Sequence, residues 1–238
     1  MRFVPVKSRG QQAVLMLHKT REQFVKQCTM NINALRGQLA EFGITAAKGI
    51  GRIEELFEKV LNDTSLPAPA KLAVQQIMVQ IEALDKSIDA LGQEIAAHCA
   101  QNESCQLLDS IPGVGIVTAS AIVASLPDAA VFKSGRDFSA FLGLTPRQNS
   151  TGGKETLGSI TKQGNRYIRK LLVVGATALL SVLKKRKGAL ADWISALLAK
   201  KPARLVTLAI ANKLARIVFA MLTSGETFRG EILRLGMR

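Results

Sequence analysis

The sequence predicts a mainly α-helical protein, with a long coiled-coil-like helical hairpin followed by a basic helical domain that contains a small β-turn or hairpin. Three observations predict it. Apolar residues recur at helical spacing through most of the first hundred positions. Positive charge is concentrated in the second half: residues 1–130 carry 12 Lys and Arg against 13 Asp and Glu, whereas residues 131–238 carry 20 against 5. Glycine and proline gather in a few short segments that punctuate the helices. With 238 residues, 47% of them hydrophobic, the chain can bury a core in one or two domains.

In chain order, Phe3, Val4, Pro5 and Val6 read as a short strand. A helix is expected over 8–42, where Val25, Cys28, Ile32, Leu35, Leu39 and Phe42 alternate steps of three and four, and Gly43 suits its C-cap. A shorter helix is expected over 46–61, then a turn over 62–69 with two prolines. Ala70, Val74, Ile77, Ile81, Leu84, Ile88, Leu91 and Ile95 keep strict four-three spacing. That is a heptad stripe, and it fits either an intramolecular hairpin with the 8–42 helix or a coiled coil between chains. A boundary falls at 100–103, and further helices fit 164–187, 190–199 and 203–222. The basic run 184–187 suits a helix C-terminus as well as it suits DNA.

Several classes are excluded by composition. The apolar run 171–183 is shorter than the roughly 20 residues a bilayer crossing needs, and Lys213 and Arg216 interrupt 205–222. The first seven residues lack the apolar core of a signal peptide. A soluble, cytoplasmic protein without a membrane partner is expected. Cys28, Cys99 and Cys105 are odd in number and show no CxxC spacing, so neither a disulfide framework nor a zinc site is expected. His18 and His98 stand alone in helices, and no metal site is read from them. The sole tyrosine, Tyr167, has no histidine-rich set around it, which argues against a tyrosine recombinase. The charge excess points to an anionic partner for the C-terminal half, nucleic acid ahead of acidic lipid.

Two segments carry chemistry. Over 107–123, an apolar pair precedes Ile111-Pro112-Gly113-Val114-Gly115, and Thr118, Ala119 and Ile122 follow in a second helix. This resembles a helix-hairpin-helix. Gly113 and Gly115 permit positive φ and leave backbone N–H groups uncovered, a seat for a DNA phosphate at a helix N-terminus. The same turn would also serve packing alone.

The second segment is 143–170, with six basic residues and one acid. Thr151-Gly152-Gly153-Lys154 has hairpin-turn chemistry, with Ser150 just before it between Arg147 and Lys154. By residue type, Ser150 suits a turn cap better than a nucleophile, since no histidine stands near to act as its base. Lys162 lies in the loop beyond, and Arg166, Arg169 and Lys170 share the first turns of a helix, a face suited to a phosphate backbone.

Together, in this order, these motifs resemble the DEDD-type insertion-sequence transposases. The resemblance is to the insertion sequence family 110, 1111-like group, related to the Piv-like invertases and the bridge-RNA-guided recombinases. It rests on 3–8 (FVPVKS), 33–43 (NALRGQLAEFG), 111–119 (IPGVGIVTA), 138–146 (FSAFLGLTP), 149–154 (NSTGGK) and 160–169 (ITKQGNRYIR). It implies a serine nucleophile at Ser150, with Thr151 as the alternative, that attacks a DNA phosphodiester. The DNA contacts expected from the two segments are Gly113, Gly115, Arg147, Lys154, Lys162, Arg166, Arg169 and Lys170.

The resemblance also implies Mg²⁺ held by four acids of a RuvC-like domain. In that family the acids precede the FVPVKS strand, so none maps onto this sequence, and an N-terminally truncated copy, inactive alone, is expected. The implied organisation is 1–8 as a residual strand of that domain, 9–102 as an assembly region forming a homo-oligomer, and 103–238 as the transposase domain. Whether a guide RNA is also bound is left open. The alternative is a non-catalytic DNA- or RNA-binding module.

Overall fold

The computed structural model describes residues 6–47, 49, 52–126, 128–153, 156–183 and 188–228. The described residues are mainly helical, with one small β-hairpin. They form two compact units: residues 16–94, and residues 1–15 together with 95–238. Both limits fall inside long helices, whereas the sequence reading places its boundaries at 8/9 and 102/103.

The first unit is built on α1 (Arg9–Ala40), α2 (Ile53–Asn62) and α3 (Ala68–Ala100). Cys28 and Ile32 of α1 bury against Ile81 of α3. Leu35 and Leu39 share a second cluster with Val74 of α3 and with Leu56 and Val60 of α2. Rising numbers on α1 thus meet falling numbers on α3, so the two helices pack antiparallel. Gly43 (φ 73) closes α1 in the left-handed region, with Ile44 N–H donating to the Leu39 carbonyl at 3.0 Å.

Two expectations shift here. Phe42 lies beyond the end of α1 and is exposed, because the cap turns the chain before it can join the seam. The turn expected over 62–69 is shorter. Pro69 falls in the first turn of α3, where its missing N–H would have no partner inside the helix.

The second unit contains α4 (Glu103–Asp109), α5 (Ile116–Ser125), a 3-10 turn (Ala129–Val131), α6 (Gly135–Phe141), β1 (Pro146–Gln148), β2 (Leu157–Ile160), α7 (Arg166–Ser181), α8 (Ala189–Leu198) and α9 (Ala203–Ser224). Its core gathers Leu108, Ile122, Phe138, Leu172 and Leu214, each at most 1% exposed. Burying each such side chain contributes about 1.5–3 kcal/mol. By length and composition α9 is apolar enough to cross a membrane. Here its Val206, Ile210, Leu214, Ile217 and Val218 are buried in this core. Lys213 is buried as well, with Nζ 5.9 Å from the Trp193 ring centroid.

The cysteine expectation is corrected. Cys99, near the end of α3, and Cys105, in α4, are joined in a disulfide. The chain reverses between the two helices and brings their Cα atoms to 5.3 Å, a proximity across a helix break that CxxC spacing does not test. The strand expected at 3–6 lies outside the described residues except for Val6, which is exposed and in no strand. The basic run 184–187 also lies outside them.

Candidate functional site

The hairpin grows out of the end of α6. Ser134 caps that helix by accepting the Asp137 N–H at 3.2 Å, and Gly143 (φ 68) turns the chain out of it. β1 and β2 then pair antiparallel, Pro146 opposite Ile160 and Gln148 opposite Leu157, with an irregular register between. The ladder continues past both strands. Asn149 N–H donates to Thr156 O at 2.9 Å, Thr161 N–H to Thr145 O at 2.9 Å, and Lys162 N–H to Gly143 O at 3.1 Å. At the tip, Gly152 (φ 57) and Gly153 (φ 79) both lie in the left-handed region, as the reading of a glycine turn requires.

Ser150 and Thr151 are exposed at this tip. The Ser150 hydroxyl oxygen accepts the Thr156 N–H at 3.3 Å and Gln148 Nε2 at 3.4 Å, both long and weak. Arg147 is exposed on β1, with Nη2 3.5 Å from Thr161 O. Lys154 lies outside the described residues. Lys162 is exposed with φ 58, an uncommon conformation for a residue bearing a side chain.

Asn165 caps α7, its Oδ1 accepting the N–H groups of Tyr167 (3.0 Å) and Ile168 (3.1 Å). Arg166, Arg169 and Lys170 follow at spacings that share one helix face. Arg166 and Lys170 are exposed, whereas Arg169 is half-buried. Burial, and secondarily the neighbouring Arg166, push the Arg169 guanidinium below its usual range. Its Nη1 donates to two carbonyls, Leu142 O and Gln163 O, each at 2.8 Å.

The sequence reading did not single out Asn212. On α9, its Nδ2 donates to Leu144 O on the hairpin's entry leg at 3.2 Å, and its main-chain carbonyl accepts from Ser139 Oγ of α6 at 3.3 Å. The signal was there: an amide inside the apolar run 205–222.

The turn Ile111–Gly115 joins α4 to α5, and one expectation about it is corrected. Only Gly113 has positive φ (86); Gly115 is extended (φ −90, ψ 174) as the N-cap of α5. One left-handed residue suffices to reverse the chain, and the position before a helix normally takes β-region geometry. Gly115 is exposed, has no side-chain cap, and an added Cβ there would meet nothing within 4 Å, so the N-terminus of α5 is uncovered. Gly113 is closely packed. A Cβ on it would lie 2.7 Å from Leu179 Cδ1, and one on Gly175 of α7 would run into the Gly113 carbonyl. The turn is thus seated on the middle of α7, and the hairpin is tied to its first turns.

Among the described residues no group of three or more His, Cys, Asp or Glu is placed to hold a metal ion. In the first unit an open depression is lined by Glu55, Glu58, Lys59 and Asp63, but its charges are partly paired, Lys59 Nζ lying 3.0 Å from Glu55.

Residues 105–190, from α4 into α8, match the family described as "Transposase IS116/IS110/IS902 family". Three relatives match across 96% of this chain. They are the y4pF/y4sB protein of Sinorhizobium fredii (44% identical, 59% of the relative covered), the transposase for insertion sequence element IS1111A of Coxiella burnetii (39%, 64% covered) and the transposase for insertion sequence element IS1328 of Yersinia enterocolitica (36%, 68% covered). The chain therefore spans about three fifths to two thirds of the length of these relatives. With identity this high and the matched segment running through the hairpin and the glycine turn, the chain belongs to the IS116/IS110/IS902 family of transposases.

Proposed function

We propose that this chain acts on DNA as part of a transposase, with Ser150 attacking a phosphodiester. The observation that carries the reading is the exposed Ser150 at the tip of a braced glycine hairpin, three residues after Arg147 and within the family-matched segment. Residues 103–238 bind DNA. The α4–α5 turn acts as a helix-hairpin-helix that seats one phosphate on the uncovered N-terminus of α5, without reading sequence. Residues 9–102 assemble copies of the chain. The parent fold is the DEDD type, related to the Piv-like invertases.

In the step itself, a bond forms from Ser150 Oγ to phosphorus and one P–O bond to a deoxyribose breaks. The serine proton ends on the departing sugar oxygen. The number of phosphoester bonds is unchanged, so the energy of the cut is kept for rejoining. Arg147, Lys162 and Arg166, nearer the base of the hairpin, would bind neighbouring phosphates of the DNA backbone. The Mg²⁺ that the family resemblance implies does not fit the described residues, among which no group of three or more His, Cys, Asp or Glu is placed to hold it.

Incubating the chain with labelled junction DNA, then denaturing it in detergent, reads the covalent link. The expected adduct persists in Thr151→Ala and disappears in Ser150→Ala. The reverse pattern would move the nucleophile to Thr151. Binding without any adduct would overturn the serine reading in favour of a non-catalytic module, and competition between structured RNA and duplex DNA would then identify its ligand.

A further inference from the structure

We propose that Arg169 is a positioning residue that clamps the base of the Ser150 hairpin, and is not a phosphate contact. This rests on the assignment of Ser150 as the attacking group.

The geometry is specific to the two legs of the hairpin. The chain leaves α6 at Leu142, runs through β1 to Ser150, returns through β2 and enters α7 at Arg166. Leu142 lies on the outgoing leg and Gln163 on the returning one, and a single Arg169 nitrogen donates to the carbonyls of both at 2.8 Å. Hydrogen bonds from an ionised donor are the strong kind. The surroundings are shaped to this closure. A Cβ on Gly143 would lie 2.9 Å from Arg169 Nη1 and would run into the Gln163 backbone; a Cβ on Gly164 would run into the Phe141 carbonyl. Both glycines have positive φ (68 and 76), and Lys162 between them adopts φ 58. Three unusual backbone conformations therefore converge on the site where this guanidinium bridges the legs.

Leverage gives the clamp its consequence. From Thr145 to Ser150 is five residues, about 16 Å at strand rise. A tilt of about 5° at the base would carry the hydroxyl about 1.4 Å, and misplacement on the order of 1 Å can cost roughly 100-fold in rate. Arg166, exposed one turn earlier, has the opposite role: it faces solvent and phosphate.

The two roles separate in one experiment on the full chain, comparing Arg169→Ala, Arg169→Lys and Arg166→Ala by hydrogen exchange and by the salt dependence of duplex binding. The amides of Leu144, Thr161 and Lys162 report the base. Arg169→Ala is expected to speed their exchange roughly ten-fold, leave the slope of log K against log salt unchanged, and lower adduct yield about 100-fold. Free methylguanidinium is expected to restore both protection and adduct. Arg166→Ala should reduce the salt slope by about 1 and leave those amides protected.

Arg169→Lys keeps the charge but replaces the planar fork with a flexible point charge, so it too should lose protection at an unchanged slope. It takes the place of Arg169→Ala should that variant not fold. A slope lowered by about 1 in Arg169→Ala, or wild-type exchange in Arg169→Lys, would overturn the clamp. Because exchange and salt slope need no reaction, the clamp is read even where Ser150 forms no adduct.

Discussion

Gly152 and Gly164 share a positive φ, 57 and 76, yet their surroundings differ. An added Cβ meets nothing within 4 Å at Gly152, but at Gly164 it runs into the Phe141 carbonyl. Gly152→Ala is expected to cost about 1–2 kcal/mol, the left-handed penalty alone. Gly164→Ala should cost about 3–5 kcal/mol, since backbone must also move. Urea denaturation of the two variants measures this, and equal losses would refute the packing argument. The Gly152-Gly153 turn was legible in sequence because hairpin-turn chemistry is local. The need at Gly164 was not, because the atom it meets belongs to a helix more than twenty residues earlier. Arg169 shows the same limit. Its charge and helix position could be read, but whether its guanidinium faces solvent or two carbonyls is decided by the fold.

Helices with a long periodic stripe were legible as elements. α1, α3 and α9 lie within a few residues of their expected ends, because many buried positions repeat the same signal. α6 was not foreseen: seven residues are too few for periodicity, and only the Ser134 cap announces it. The pairing of α1 with α3 has a testable pH dependence. Cys28 on α1 lies 3.5 Å from Asp85 Oδ1 on α3, and burial first, then the aspartate charge, raise its thiol above the usual value. A raised value means that the folded protein holds this proton where the unfolded chain has lost it. The contribution is complete below the unfolded thiol value of about 8.5 and is lost as pH rises through the folded one. Thermal melting between neutral pH and about pH 10.5 should fall more steeply for wild type than for Cys28→Ala. Parallel curves would remove Cys28 from the account.

At the scale of the molecule, the charge asymmetry was the part of function most legible in composition. The net charge of +14 comes entirely from residues 131–238. With about 6–10 phosphates contacted, duplex affinity should fall roughly 10³–10⁵-fold between 50 and 200 mM salt. Titration by fluorescence anisotropy measures it, and a flat response would argue against backbone-driven DNA binding. Composition could not show how the pieces of the second unit are joined, because that depends on contacts such as Gly113 on Gly175. Those two glycines touch at the middle of α7, and Arg169 sits six residues before Gly175, about 9 Å along the rod. A single rigid helix thus acts as a ruler between the glycine turn and the serine hairpin. Under the function proposed above, a duplex gripped at the turn would have its scissile bond set at a fixed offset, by length along a helix and not by recognition of a base.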